Sequence, residues 1–268
     1  MPKKLIIIAA MFLLFFPEYI NISSKSAYIN MLMSGCRQLY AAEGEWGKCI
    51  SGNCMDTSGV YVSPSGKYEG EFKEGKRHGT GTFTWTEGEK YTGQWQNDKM
   101  HGHGIYTWPN GNRFEGQWMN NQKNGQGVLA WINGDKYTGQ WKDDAMHGKG
   151  IYSWSDGIRL EGEWINGTRK DFGIIIWPNG DKFTGSMKGN DMHGQGTMNW
   201  NNGNKYTGEW FEGKRTGAGV FIWANGDKYE GQWKDNKMHG NGTFIYNNGA
   251  IKKGTWENDI YITREKEK

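Results

Sequence analysis

Five histidines recur along the chain, His78, His101, His147, His193 and His239, each followed by glycine. Imidazoles in register would make a ladder of metal sites, so their spacing decides the question. Units whose strands keep normal sheet spacing stand ~9.5 Å apart, whereas zinc holds imidazole nitrogens at about 2.0–2.1 Å. Histidines of different units therefore do not share an ion, and His101 with His103 offers only two ligands. The reading left is a turn histidine that hydrogen-bonds its own loop. A second ladder is basic: Lys67, Lys90, Arg113, Lys136, Arg159, Lys182, Lys205 and Lys228. Eight cations in line form a candidate anion ladder for phosphates or acidic lipid headgroups. Acids stand close by, at Glu69, Glu115, Glu161 and Glu230 and again at Glu71, Glu163 and Glu209. Cross-strand pairing of such columns would largely cancel the field, which favours a solvated, self-paired face. Catalysis needs a constellation that does not repeat. Residues 59–256 contain no cysteine and few serines, and nearly every carboxylate belongs to a repeating column. The expectation is a non-enzyme with no metal and no cofactor.

The elements that place these residues follow from one period. Steps of 23 residues from Tyr68 reach Tyr91, Phe114, Tyr137, Leu160, Phe183, Tyr206 and Tyr229, and two residues beyond each lies a glycine. Trp85, Trp108, Trp131, Trp154, Trp177, Trp200 and Trp223 keep the same step, with no insertion or deletion between Tyr68 and Gly254. A fixed period of this length signals stacked structural repeats. Each unit reads as a β-hairpin, with strands over residues 104–108 and 114–118 joined at the Asn-Gly turn. Side chains two apart share a face, so Tyr, Gly and Trp alternate onto one aromatic face whose glycines leave room for rings. The His-Gly-x-Gly segment then returns the chain, its glycines supplying conformations that other residues resist. The fold class expected is all-β: an elongated single-layer solenoid of stacked hairpins, roughly 75 Å long.

Residues 91–95 (YTGQW), 101–104 (HGHG) and 108–111 (WPNG) resemble the MORN (membrane occupation and recognition nexus) repeat. The resemblance spans about eight 23-residue units over residues 59–256. It implies an interaction or scaffolding module, with membrane-linked scaffolding, self-association and acidic-phospholipid binding among the family's associations.

Composition narrows the class further. The chain has 268 residues with 42 glycines and 15 tryptophans, so aromatic rings do the packing that aliphatic side chains do elsewhere. Disordered chains are poor in aromatics, and a net charge of +3 is too small for a nucleic-acid binder. Residues 1–27 read as a signal peptide: Lys3 and Lys4, an apolar run over residues 5–16, and small residues ending at Ala27. Ala41-Ala42 is a later cleavage option. Residues 28–58 form a linker and Cys-containing N-terminal cap, with Cys49 and Cys54 as a candidate disulfide in an exported protein. Cys36, in Met33-Ser34-Gly35-Cys36, is a candidate lipidation site or else a free thiol. Residues 257–268 form a charged C-terminal tail. The chain is expected to be exported, periplasmic or in the cell envelope, with membrane anchoring left open. Its expected partner is another protein or a second copy, with acidic lipid as an alternative and no nucleic acid. A rival reading is an envelope glycan binder using the aromatic face. The pattern departs most where Leu160 replaces Tyr, Lys170-Asp171 replaces His-Gly and Met187 replaces Trp. These four residues form the candidate partner patch.

Overall fold

A computed structural model describes residues 47–264, all of them strands and turns. The signal segment, Cys36 and residues 265–268 lie outside the described residues. Twenty strands form one open sheet, each antiparallel to the next in sequence, as in β5 (Lys90–Gln96) beside β6 (Lys99–Thr107). The sheet runs past both expected limits. It begins with β1 (Lys48–Gly52) and β2 (Ser58–Ser63), and a Cys49–Cys54 disulfide ties β1 to the loop before β2. At the other end Ile260–Arg264, expected as tail, forms β20 against β19 (Ile251–Glu257).

One row of glycines crosses the sheet. Gly59 faces Gly70, Gly70 faces Gly81, Gly81 faces Gly93 and Gly93 faces Gly104, and the row continues in step. Without Cβ atoms the row is a trough, and the tyrosine column lies in it. Tyr91 is fully buried and its hydroxyl donates to the Gln94 carbonyl at 2.9 Å, while a Cβ on Gly104 would fall on its ring. Trp95 stands edge-on to Tyr91 and also to Tyr68 of the preceding unit, at 5.4 Å and 83°. Its indole N–H donates to the Gly81 carbonyl at 3.1 Å. Ring-on-ring joints of this kind bury large apolar surfaces and add about 0.5–1.5 kcal/mol each beyond burial. They lock unit to unit, which a lone hairpin needs.

The turns correct the expected trace. The chain returns at Asn97-Asp98, both left-handed (φ 49° and 67°), as a two-residue turn whose twist suits a hairpin. His-Gly-x-Gly is not the return. It lies within β6, and Gly102 (φ 59°) sits at a break in the β5–β6 register. The Asn-Gly turn is longer than a two-residue loop: Gly111 (φ 87°) donates to Trp108 O, and Trp108 donates to Asn112 O. A side-chain ladder joins successive turns on this edge. Asn112, Asp135, Asp181, Asn204 and Asp227 each accept the N–H of a residue 20 positions on, at 2.8–3.0 Å. Glu89 and Ile158 hold that place where the next turn opens with Pro109 or Pro178, which have no N–H to cap.

Candidate functional site

The fifth unit is built from β11 (Arg159–Ile165) and β12 (Thr168–Ile176), with β13 (Lys182–Lys188) beside it. Leu160 and Met187, expected in a partner patch, are 3% and 2% exposed and belong to the core. They are the two partners of a single joint, Leu160 in place of the tyrosine and Met187 in place of the tryptophan it would meet. Both approach the same point, since a Cβ on Gly173 would lie 3.2 Å from Leu160 Cδ1 and from Met187 Sδ. The other seven joints, from Tyr68–Trp95 to Tyr229–Trp256, keep their ring pair. The buried core divides into two clusters within β11: Trp164 belongs to one, and Leu160 with Met187 to the other.

Lys170 and Asp171 change the opposite face. Asp171 stands where Gly102 and Gly148 are left-handed. In those units a Gln side chain fills the bulge over the glycine, Gln94 Oε1 accepting from His103 N–H at 2.8 Å and Gln140 Oε1 from Lys149 N–H. Glu163 instead pairs with Lys170 Nζ at 2.8 Å, and that hydrogen bond and charge hold its carboxyl below the usual carboxylate range. Beside them Phe172 is 58% exposed, a position that sequence reasoning passed over.

Half of the basic ladder is paired, and differently from expectation. Lys67, Arg113, Arg159 and Lys228 pair along their own strands, with Glu69, Glu115, Glu161 and Glu230, at 2.7–3.6 Å. Cross-strand pairing fails because Glu71, Gln94, Gln117, Gln140 and Glu209 are taken up as bulge caps. Lys90, Lys136, Lys182 and Lys205 have threonine two residues on and make no ion pair among the described residues.

A period of two units overlies the period of one. The column Arg77, Met100, Lys123, Met146, Arg169, Met192, Arg215, Met238 alternates cation and thioether. Arg77 lies over Trp95 at 4.4 Å, Lys123 over Trp141 at 4.9 Å and Arg215 over Trp233 at 4.5 Å. Met100, Met146 and Met238 oppose those same tryptophans in the sheet register. Each of these three rings therefore meets one cation and one methionine. Burial lowers the Lys123 ammonium pKa, opposed by the charge of Asp144.

Histidine follows each of the four methionines of this column and, at His78, Arg77. The expectation that it bonds its own loop fails: the Nδ1 atoms of all five histidines are shielded and make no hydrogen bond among the described residues. The His193 ring lies 5.2 Å from Phe211. Phe211 belongs to a row with Met119 and Ile165, spaced by two units and 45–54% exposed. Lys142, Lys188 and Lys234 alternate with them in the same column. The tyrosine column and the Trp95 column on the other face are buried, which removes those rings from the reach of a sugar. Among the described residues no three His, Cys, Asp or Glu side chains converge as a metal site.

Family comparison agrees with this architecture. A family model described as "MORN repeat" matches residues 68–90, 91–113, 114–136, 137–159, 161–182, 183–205, 206–228 and 229–251. No curated protein sequence matches the chain. Among solved structures, the TCP domain of Drosophila melanogaster SAS-4 (dCPAP), in complex with a proline-rich motif of Ana2, is 15% identical. It covers 58% of this chain and 85% of its own, with a TM-score of 0.41. A Danio rerio CPAP domain is 12% identical and covers 78% of this chain and 99% of its own, at a TM-score of 0.31.

Proposed function

The chain belongs to the MORN repeat family, and from that premise we propose that it is an exported, non-enzymatic scaffold that docks a protein partner on the outer face of its sheet. The observation that carries this reading is the row Met119, Ile165, Phe211. Single exposed apolar side chains are normal on any protein, but these keep one register, about 19 Å apart if strand spacing is regular. Lysine stands between each pair. Such a surface fits a long partner offering apolar and acidic groups in turn, and Phe172 widens it at the fifth unit. Export is supported by the apolar run behind Lys3 and Lys4 and by the Cys49–Cys54 disulfide, since disulfides persist in oxidising compartments. Acidic-lipid binding through the ladder draws less support, because half of its cations are already paired.

The test is the triple variant Met119→Ser, Ile165→Ser, Phe211→Ser. We expect an unchanged melting temperature and at least a tenfold loss of proteins captured from an extract of the native cells. Undiminished capture would overturn the reading. For export, the mass of the mature chain should lack the first 27 residues or more, and a mature protein beginning at Met1 would contradict it.

A further inference from the structure

The fifth joint also leaves its mark on the ring face of the sheet. Three of the four cations in the alternating column lie over the tryptophan of the following unit. Arg169 is the fourth, and the residue it would cover is Met187. Among the described residues its guanidinium lies over no ring. The group is nonetheless held in place, Nη1 donating to Lys170 O at 2.7 Å and Nη2 to Gly189 O. Beside it lies an open depression of about 250 Å³, lined by Arg169 itself with Tyr152, Trp154, Leu160, Trp164, Gly167 and Asn190, but not by Met187. Leu160 is narrower than the tyrosine of the sister joints, so the depression has aromatic side chains around it, a fixed cation and no ring from the tyrosine column.

We propose that this depression is a socket for one aromatic side chain, tryptophan or tyrosine, presented by a docked protein. The sister joints show the chemistry that fills such a place: a ring under a guanidinium, edge-on to its neighbours. A planar guanidinium stacks on aromatic faces, and aromatic anchors seated in small pockets dominate protein interfaces. The incoming ring supplies in trans the ring that Leu160 lacks in cis. The inference rests on the protein-docking reading in one respect, that the ring arrives on a partner. The socket itself stands apart from the row Met119, Ile165, Phe211 and can be tested without it.

The test uses the full chain and 5-fluoro-N-acetyl-L-tryptophanamide, followed by fluorine NMR. We expect saturable broadening of the probe signal, reversed by N-acetyl-L-tyrosinamide and not by N-acetyl-L-leucinamide. The double variant Leu160→Tyr, Met187→Trp restores the chain's own joint, and its Leu160→Tyr change puts a ring into the lining of the socket. It should keep or raise the melting temperature and weaken probe binding at least tenfold. Should that variant not fold, Arg169→Gln serves the same comparison, with at least fivefold weaker binding expected. Probe binding that survives in the refilled or Arg169→Gln chain, or that is absent from the parent, overturns the proposal. Loss of partner capture with the row variant bears on the docking reading alone, because that variant leaves the socket and its titration intact.

Discussion

A Cβ placed on Gly104 would fall on the Tyr91 ring, whereas on Gly162 the nearest atom is Arg169 Cδ, 3.3 Å away. Neither glycine is left-handed, so the contrast is one of space alone. Gly104→Ala must move a fully buried ring that is bonded to Gln94 O, an overpacking that typically costs about 1–3 kcal/mol. Gly162→Ala pushes only on the stem of a flexible side chain. We expect Gly104→Ala to lower the urea midpoint clearly and Gly162→Ala to shift it by less than half as much; equal shifts would show that the trough does not hold the rings. The glycine columns were legible in the sequence because a strict two-residue alternation with Tyr and Trp puts rings and gaps on one sheet face. The turn ladder was not. Asn112 and Ile132 look unrelated in a linear reading, and only the stacking of units brings the amide to that N–H. The exchange of Asx for Glu89 and Ile158 ahead of Pro109 and Pro178 is its one trace in the sequence.

At the scale of the strand pair, the alternation of cation and methionine fixes which unit may follow which. Trp95 has Arg77 over it and Met100 opposite. Removing residues 91–113 would set the Arg77 and Lys123 units side by side and place two half-buried cations against Trp118. Removing residues 91–136 takes out twice as much chain yet restores Arg77 beside Met146. We therefore expect the shorter deletion to lower the melting temperature more than the longer one, as read by circular dichroism. The opposite order would reduce the two-unit period to coincidence. The alternation was present in the sequence, but the stronger ring and glycine columns repeat every unit and hid it. The return turn was likewise visible, since Asn-Asp, Asn-Asn and Asp-Asp recur in one column and suit two left-handed residues. Leu160 and Met187 read as separate departures because nothing short of the inter-unit joint shows that they touch.

Over the whole molecule the tyrosines act together. Burial pushes Tyr137 and Tyr229 up to about 12, and Tyr68, Tyr91 and Tyr206 higher still. Tyr152 also rises to about 12, through burial and then its hydrogen bond to Asp135. A phenol whose folded pKa is raised favours the folded state while neutral. That contribution is complete below the ordinary phenol pKa of about 10 and is lost as pH climbs beyond it. The sheet should hold its melting temperature up to about pH 10 and lose it steeply above. Most tyrosinate absorbance should appear together with loss of the strand signal; its full appearance in an intact sheet would contradict the burial described.

Docking on the outer face can be read along the rod in one measurement. A photo-reactive phenylalanine analogue placed in turn at Gln96, Met119, Lys142, Ile165, Lys188, Phe211 and Lys234 samples one column of that face, and the Trp108 and Trp200 positions sample the ring edge. With irradiation in the native cells, partner adducts should peak at Met119, Ile165 and Phe211, two units apart, with little at the two tryptophans. Adducts spread evenly along the column, or concentrated at Trp108 and Trp200, would contradict docking on that row.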